Sequence, residues 1–417
     1  MKKRQILCVD LRSFYASVEC AKRGLNPDET PLVVADEKRG GGSIVLAVSP
    51  YLKTLGFPSR CRIFELPKLE NIIFAKPRME TYIDYSTKVI EIYLDFVSDE
   101  DLFIYSIDEA FLDVTNYLNY YKKTAEELAF EILNTIEEKL KIKATCGIGK
   151  NMLMAKLALD IEAKKTKTGI AYWDIDDLKE KLWPITDLTK MWGIGSKMNI
   201  NLKRLGITSI YDVAHFDVKK LKKHFGVMGI ELYNHANGRD KSYIQDQDKL
   251  KSVNHSYSVG QVLFKDYDKN SAKLIIREMT EDLTKRLRLN KKTAQTVKLS
   301  IGYSKEYGGG FSRQLKLDYK TNNTTKLYEA FLFLLNKFYE NLPIRKISVS
   351  VTNLTASSFQ QISLFEDFQS EYMENIVESA IDEIHYKYGK NSVVKATALK
   401  DYSTKINRNK TIGGHNA

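Results

Sequence analysis

Cysteine, histidine and long apolar runs are scarce in this 417-residue chain, and each scarcity removes a class of protein. Its four cysteines, Cys8, Cys20, Cys61 and Cys146, stand far apart with no Cys-x-x-Cys pair. That excludes a zinc ribbon and a disulfide framework and reads as reduced, buried thiols. The six histidines have neither metal-ligand spacing nor a nucleophile beside them. No apolar run approaches the roughly 18 residues of a membrane span, and the N-terminus lacks the apolar core of a signal peptide. The expectation is a soluble, cytoplasmic protein with no membrane partner. Gly40-Gly41-Gly42 has no lysine at P-loop spacing and is read as a turn.

What is present points elsewhere. A formal charge of +11 favours a polyanionic partner, and the length divides into several domains, each able to bury its own core. Asp108-Glu109 ends the apolar stretch Leu102 to Ile107, and Asp10 closes a second apolar strand, Ile6 to Val9. Acidic side chains where a core begins need a cation, a protein partner or a raised pKa. Hard divalent ions with oxygen ligands answer that need, and a pair of them clamps the two oxygens of an in-line phosphoryl or nucleotidyl transfer. At this point a turn whose acids face water remains equally open.

Around Asp10 the chain reads Val9-Asp10-Leu11-Arg12-Ser13-Phe14-Tyr15-Ala16-Ser17-Val18-Glu19, and around the second pair Tyr105-Ser106-Ile107-Asp108-Glu109-Ala110-Phe111-Leu112-Asp113. A third segment runs from Cys146 through Gly147, Gly149 and Lys156 to Ala158. Together, in this order, they resemble the motifs of Y-family DNA polymerases, and the resemblance covers nearly the whole chain. It implies an α+β multidomain right hand with palm, fingers, a helical thumb bearing a helix-hairpin-helix, and a little finger of split β-α-β type. The expected divisions are palm 1–21 and 79–165, fingers 22–78, thumb 166–245, little finger 250–353 and a tail 354–417. The implied activity is DNA-directed, error-prone translesion synthesis on primer-template DNA with deoxynucleoside triphosphates, in DNA repair and the SOS response.

By the same resemblance Asp10, Asp108 and Glu109 are catalytic and hold two magnesium ions, with Leu11 contributing its backbone carbonyl. Asp113 is expected outside that site. Phe14 and Tyr15 belong to the nucleotide site, Tyr15 as a steric gate against a ribose 2′-oxygen. At positions that often carry threonine, tyrosine and arginine, this chain has Ala47, Pro50 and Lys53, so triphosphate contact is expected to rest on Lys53, Lys156 and backbone amides. That departure makes the chain more similar to the polymerase V catalytic type and its Gram-positive relatives than to the polymerase IV type.

Periodicity fills in the rest. Tyr82, Tyr85, Val89, Ile92 and Phe96 recur at helical spacing, as do Leu128, Ile132, Ile136 and Leu140 behind a Thr124/Glu127 capping box. Trp192-Gly193-Ile194-Gly195-Ser196-Lys197 resembles a helix-hairpin-helix, in which Gly193, Gly195 and Lys197 meet a phosphate. From about 250 to 353 the pattern is strand, helix, strand, strand, helix, strand. It predicts an apolar face of Val297, Leu299, Ile301, Tyr303, Ile347, Val349 and Val351 opposite a lysine- and serine-lined face, where Lys298, Lys316 and Lys346 are the expected DNA contacts. Gln361-Ile362-Ser363-Leu364-Phe365 is similar to the peptide that docks on a sliding clamp, with Gln361, Leu364 and Phe365 as its anchors. A helix over 366–388 carries Ile376, Ala380 and Ile384 on one side, and the basic stretch beyond it leaves DNA binding, subunit binding and disorder open. An accessory subunit and a recombinase filament are further partners the resemblance implies. Two competing readings stand beside it: a DNA- and clamp-binding factor that is non-catalytic or accessory-dependent, and a helix-hairpin-helix nuclease.

Overall fold

The computed structural model describes residues 4–246, 256–357 and 368–416, in two compact units, Met1–Lys251 with the last three residues, and Ser252–Gly414. The first is organised by a five-stranded sheet in the order Leu102–Ile104, Glu109–Asp113, Ile6–Leu11, Ala144–Gly149, Ile170–Trp173. All neighbours are antiparallel except the last pair. The central strand extends past its expected end at Val9 to Leu11, because Asp10 and Leu11 continue to pair with Thr145 and Ala144.

Alternation along this strand divides two cores. Leu7, Val9 and Leu11 face helices Met79–Leu94 and Ala125–Leu140, burying Tyr82, Val89, Ile92, Leu128, Ile132 and Ile136. Ile6 and Cys8 face the other way, against Phe111 and the helix Met152–Leu157. Asp10 falls on the Cys8 side by the same period. The capping box is formed as expected: the Thr124 side chain accepts from Glu127 N at 3.2 Å, and the Glu127 carboxylate accepts from Thr124 N at 2.8 Å.

Residues between the helix Phe14–Ala21 and Met79 make a small sheet, Ala47–Val48, Leu32–Val34 and Ile73–Ala75, with its own core of Val33, Val45, Val48, Leu52 and Phe57. After the large sheet come short helices Ser196–Arg204, Ile210–His215, Val218–Phe225 and Val227–Ala236, packed around Leu202, Ile210, Val213, Leu221 and Leu232.

The second unit has the expected order: strand Ser256–Tyr267, helix Lys269–Leu289, strands Lys292–Tyr303 and Gly310–Thr321, helix Thr324–Phe338, strand Ile344–Thr352. Val297, Leu299, Ile301, Ile347, Val349 and Val351 are all buried against those helices. The tail is folded onto the same unit. Its helix Phe368–Tyr388 engages through an acidic side, where Glu378 and Asp382 take Arg288 and Glu374 takes Asn323 and Thr325. Ile376 is exposed instead. The basic stretch is ordered too, since Lys405 and Arg408 pair with Asp282 at 2.7 and 2.8 Å.

Candidate active site

Antiparallel pairing sets Asp10 directly across from Glu109, and Cys8 from Phe111. With a side-chain period of two, the carboxylates of Asp10 and Glu109 therefore emerge on one face. Asp108 precedes Glu109 in the connecting turn. Its carbonyl accepts from Leu11 N at 2.9 Å and its carboxylate from Ser106 Oγ at 2.6 Å, which ties the turn to the end of the central strand. Ser86 Oγ on the helix Met79–Leu94 donates to Ile107 O at 2.6 Å and holds the turn from behind. Asp113, at the far end of its strand, pairs with Arg4 and lies outside this cluster, as expected.

The facing helix comes close because Gly147 and Gly149 present no side chain to it; a Cβ on Gly147 would run into Ala155 O and Leu159 N. Met152–Leu157 widens into a π-turn over Ala158–Glu162 and closes in a 3-10 turn over Ala163–Lys165, and the three together carry Lys156, Asp160 and Lys164 at successive four-residue steps. Lys156 is buried. Its Nζ bonds Glu109 at 2.8 and 2.9 Å and Asp160 at 3.1 Å, while Cys8 Sγ donates to Glu109 Oε1 at 3.2 Å. Lys164 reaches Asp10 at 3.3 Å and Asp160 at 2.8 Å.

Burial pushes the Asp10 carboxyl up to about 6; Lys164 opposes this, and the nearby Asp108 and Glu109 charges add to it. Four carboxylates, Asp10, Asp108, Glu109 and Asp160, meet two ammonium groups here, an excess of two negative charges. No three metal-ligating side chains form a ready-made cage among the described residues. The donors are nonetheless hard carboxylate oxygens with unbalanced charge, the set that suits a divalent ion such as magnesium.

Opposite the acids lies a basic rim. Lys53 is reached by solvent, yet the protein around it lowers its pKa; Asp10 and Asp108 pull the other way, while Lys164 and Arg12 lower it further. Ala47 and Pro50 are buried and offer no donor from their side chains. Phe14 is core, whereas Tyr15 is half-buried, and its ring stacks on Tyr82 with centroids 4.6 Å apart. Burial raises the Tyr15 hydroxyl pKa, with Asp108 adding to and Arg60 opposing the effect, so the ring borders both charged groups.

The expected residues thus separate into groups. Asp10, Leu11, Asp108, Glu109, Tyr15, Lys53 and Lys156 converge; Lys156 forms the floor rather than the rim. Lys164, Asp160, Arg60 and Tyr82 were not anticipated. The i, i+4, i+8 spacing of 156, 160 and 164 was a usable signal for two of these. Arg60 had none, because a fold-back of the small sheet brings it in. Gly193, with φ +93°, and Gly195 are exposed just before helix Ser196–Arg204, with Lys197 exposed in its first turn. In the second unit Lys298, Lys316 and Lys346 are exposed and, by strand register, share the face opposite the helices. Gln361, Leu364 and Phe365 lie outside the described residues.

Residues 9–160 match the impB/mucB/samB family, 254–364 its C-terminal domain, and 189–240 the thumb domain described for DNA polymerase iota. The Bacillus subtilis protein named UvrX for UV-damage repair is 40% identical over 99% of this chain and 98% of its own length. The protein named DNA polymerase IV 2 of the same organism is 34% identical over 100% of this chain and 99% of its own. A solved Y-family DNA polymerase chimera superposes with a TM-score of 0.65 at 21% identity, covering 84% of this chain and 99% of that one.

Proposed function

Because the chain belongs to the Y-family of DNA-directed DNA polymerases, we propose that it performs error-prone translesion synthesis by two-metal nucleotidyl transfer at Asp10, Asp108 and Glu109. The observation that carries this reading is the convergence of the Asp10, Asp108, Glu109 and Asp160 carboxylates, two negative charges in excess of Lys156 and Lys164, with Lys53, Arg60 and the Tyr15 ring nearby. Magnesium, when bound, supplies the charge that acidifies a primer 3′-hydroxyl and steadies a departing pyrophosphate. Asp10 and Asp108, with the Leu11 carbonyl, are its proposed ligands. Glu109 is held in place by Lys156 and Cys8, so its carboxylate enters the site preorganised. Lys164 and Lys53 have ammonium groups beside the acids and are suited to a triphosphate; Lys156, tied to Glu109 and Asp160, assists from beneath. Tyr15 excludes the 2′-hydroxyl of a ribonucleotide.

In this reading the palm comprises 1–21 and 79–165, the fingers 22–78, the thumb 166–245 and the little finger 250–353. Gly193, Gly195, Lys197, Lys298, Lys316 and Lys346 track DNA phosphates without reading sequence. The segment at Gln361, Leu364 and Phe365 serves a sliding clamp, and an accessory subunit or recombinase filament supports lesion bypass during the SOS response. No described helix is long and apolar enough to cross a membrane. The test is extension of a labelled primer with magnesium and deoxynucleotides, wild type against Asp108→Asn/Glu109→Gln. Extension by the wild type alone supports the assignment. A wild type that binds DNA but never extends it argues for the accessory-dependent or non-catalytic alternative.

A further inference from the structure

Behind the Tyr15 ring lies a buried ionic cluster that takes no part in the chemistry proposed above. Glu19 is fully buried, one helical turn after Tyr15 on the helix Phe14–Ala21. Its carboxylate accepts from Tyr82 Oη at 2.8 Å, from Arg78 Nε at 3.0 Å and Nη2 at 2.6 Å, and from Arg23. Tyr82 is fully buried, and its ring lies at 29° to Tyr15 at the 4.6 Å separation of a stacked pair. Phe14 meets the edge of the same ring at 6.5 Å. These contacts close a loop: Tyr15 stacks on Tyr82, Tyr82 donates to Glu19, and Glu19 returns to Tyr15 through one turn of helix.

We propose that Glu19, Arg78 and Tyr82 are positioning residues that fix the plane and depth of the Tyr15 ring and thereby set how strongly the enzyme discriminates against ribonucleotides. The inference rests on the reading of Tyr15 as the sugar gate. A gate rejects a single oxygen only if its ring cannot retreat by a fraction of an ångström, and Tyr15, half-buried, is backed on this side by Tyr82. Tyr82 resists displacement because its hydroxyl is anchored to a carboxylate that cannot move without stranding two guanidinium groups. Burial raises the Glu19 pKa, but the hydrogen bonds from Arg78, Arg23 and Tyr82 outweigh it and hold the group below its ordinary value, so the anchor stays charged. The same helix that carries Tyr82 holds the Asp108 turn through Ser86, so the gate and the acids share one support.

The experiment measures kcat/KM for a deoxynucleotide and its matching ribonucleotide in single-nucleotide primer extension, for wild type, Tyr82→Phe, Arg78→Lys and Tyr15→Ala. Tyr82→Phe keeps the stacked ring and removes only the anchor. Arg78→Lys removes the two-pronged contact at a side chain 40% exposed and serves if the first variant does not fold. The expected result is a fall of about tenfold in the deoxy-to-ribo ratio for either variant, arising from a lower ribonucleotide KM, in keeping with the cost of sub-ångström misplacement. A purely structural role lowers both substrates alike and leaves the ratio unchanged, which overturns the proposal while Tyr15→Ala still loses discrimination. If Tyr15→Ala itself leaves the ratio unchanged, the gate reading fails and this proposal falls with it.

Discussion

Asp10→Asn is predicted to stabilise the metal-free protein while abolishing its activity. Burial and two neighbouring acids move the Asp10 carboxyl from its ordinary 3.8 to about 6, so the folded state bears an ionised group that the unfolded chain carries more easily. The penalty at pH 7 corresponds to about 3 kcal/mol. Its sign follows from the raised pKa: the cost is fully present above the folded value, falls to about half at pH 5 and is largely gone near pH 4. Asparagine removes the charge, and Lys164 keeps its second partner, Asp160, at 2.8 Å. A unit of this size moves about 2–4 °C per kcal/mol, so the midpoint of its unfolding should rise by roughly 6–12 °C. Calorimetry in EDTA at pH 7 and pH 5 measures this, with the difference shrinking at the lower pH. Added magnesium should raise the wild type more than the variant. An Asn variant that melts at or below the wild type in EDTA at pH 7 would refute the argument that these acids are electrostatically frustrated without a cation.

Other outcomes follow from single contacts. Lys156→Met leaves the buried Glu109 without its cation and should cost about 3–5 kcal/mol in urea unfolding, alongside lost extension; a mild effect would show that the pair contributes little to the fold. Gly147→Ala forces a methyl group into the backbone at Ala155 and Leu159 and should destabilise by about 1–3 kcal/mol while displacing Lys156 and Lys164, seen as a lower Tm and a raised nucleotide KM. Ending the chain at Tyr388 strips Ser403, Thr404 and Arg408 from Glu278, whose pKa burial already raises. The second unit should then lose about 1–3 kcal/mol, read as faster limited proteolysis of that unit; unchanged proteolysis would show that the tail is dispensable to the fold.

Much of the architecture was legible because it is local. The alternation at 297–303 and 346–351 depends on a period of two that the pleat imposes whatever the neighbours are, and it gave the buried face of the second unit correctly. The Thr124/Glu127 box marked a helix start because both bonds close within four residues. Elsewhere local signals did not say which side docks. The apolar side of the tail helix, at Ile376, faces outward, while Glu378 and Asp382 dock, because their partner Arg288 is about ninety residues away in the chain.

For the site, Asp10, Asp108, Glu109 and Tyr15 were legible through a resemblance in motif order and spacing, which needs no reference to any contact. Tertiary structure alone decided what surrounds them. Lys156 pairs with Glu109, Lys164 stands beside Asp10, and Tyr82 backs Tyr15. Charge and burial at a point in space are sums over side chains from distant segments. Only folding brings Asp10, Lys156 and Lys164 to one point, and only there are their pKa values set.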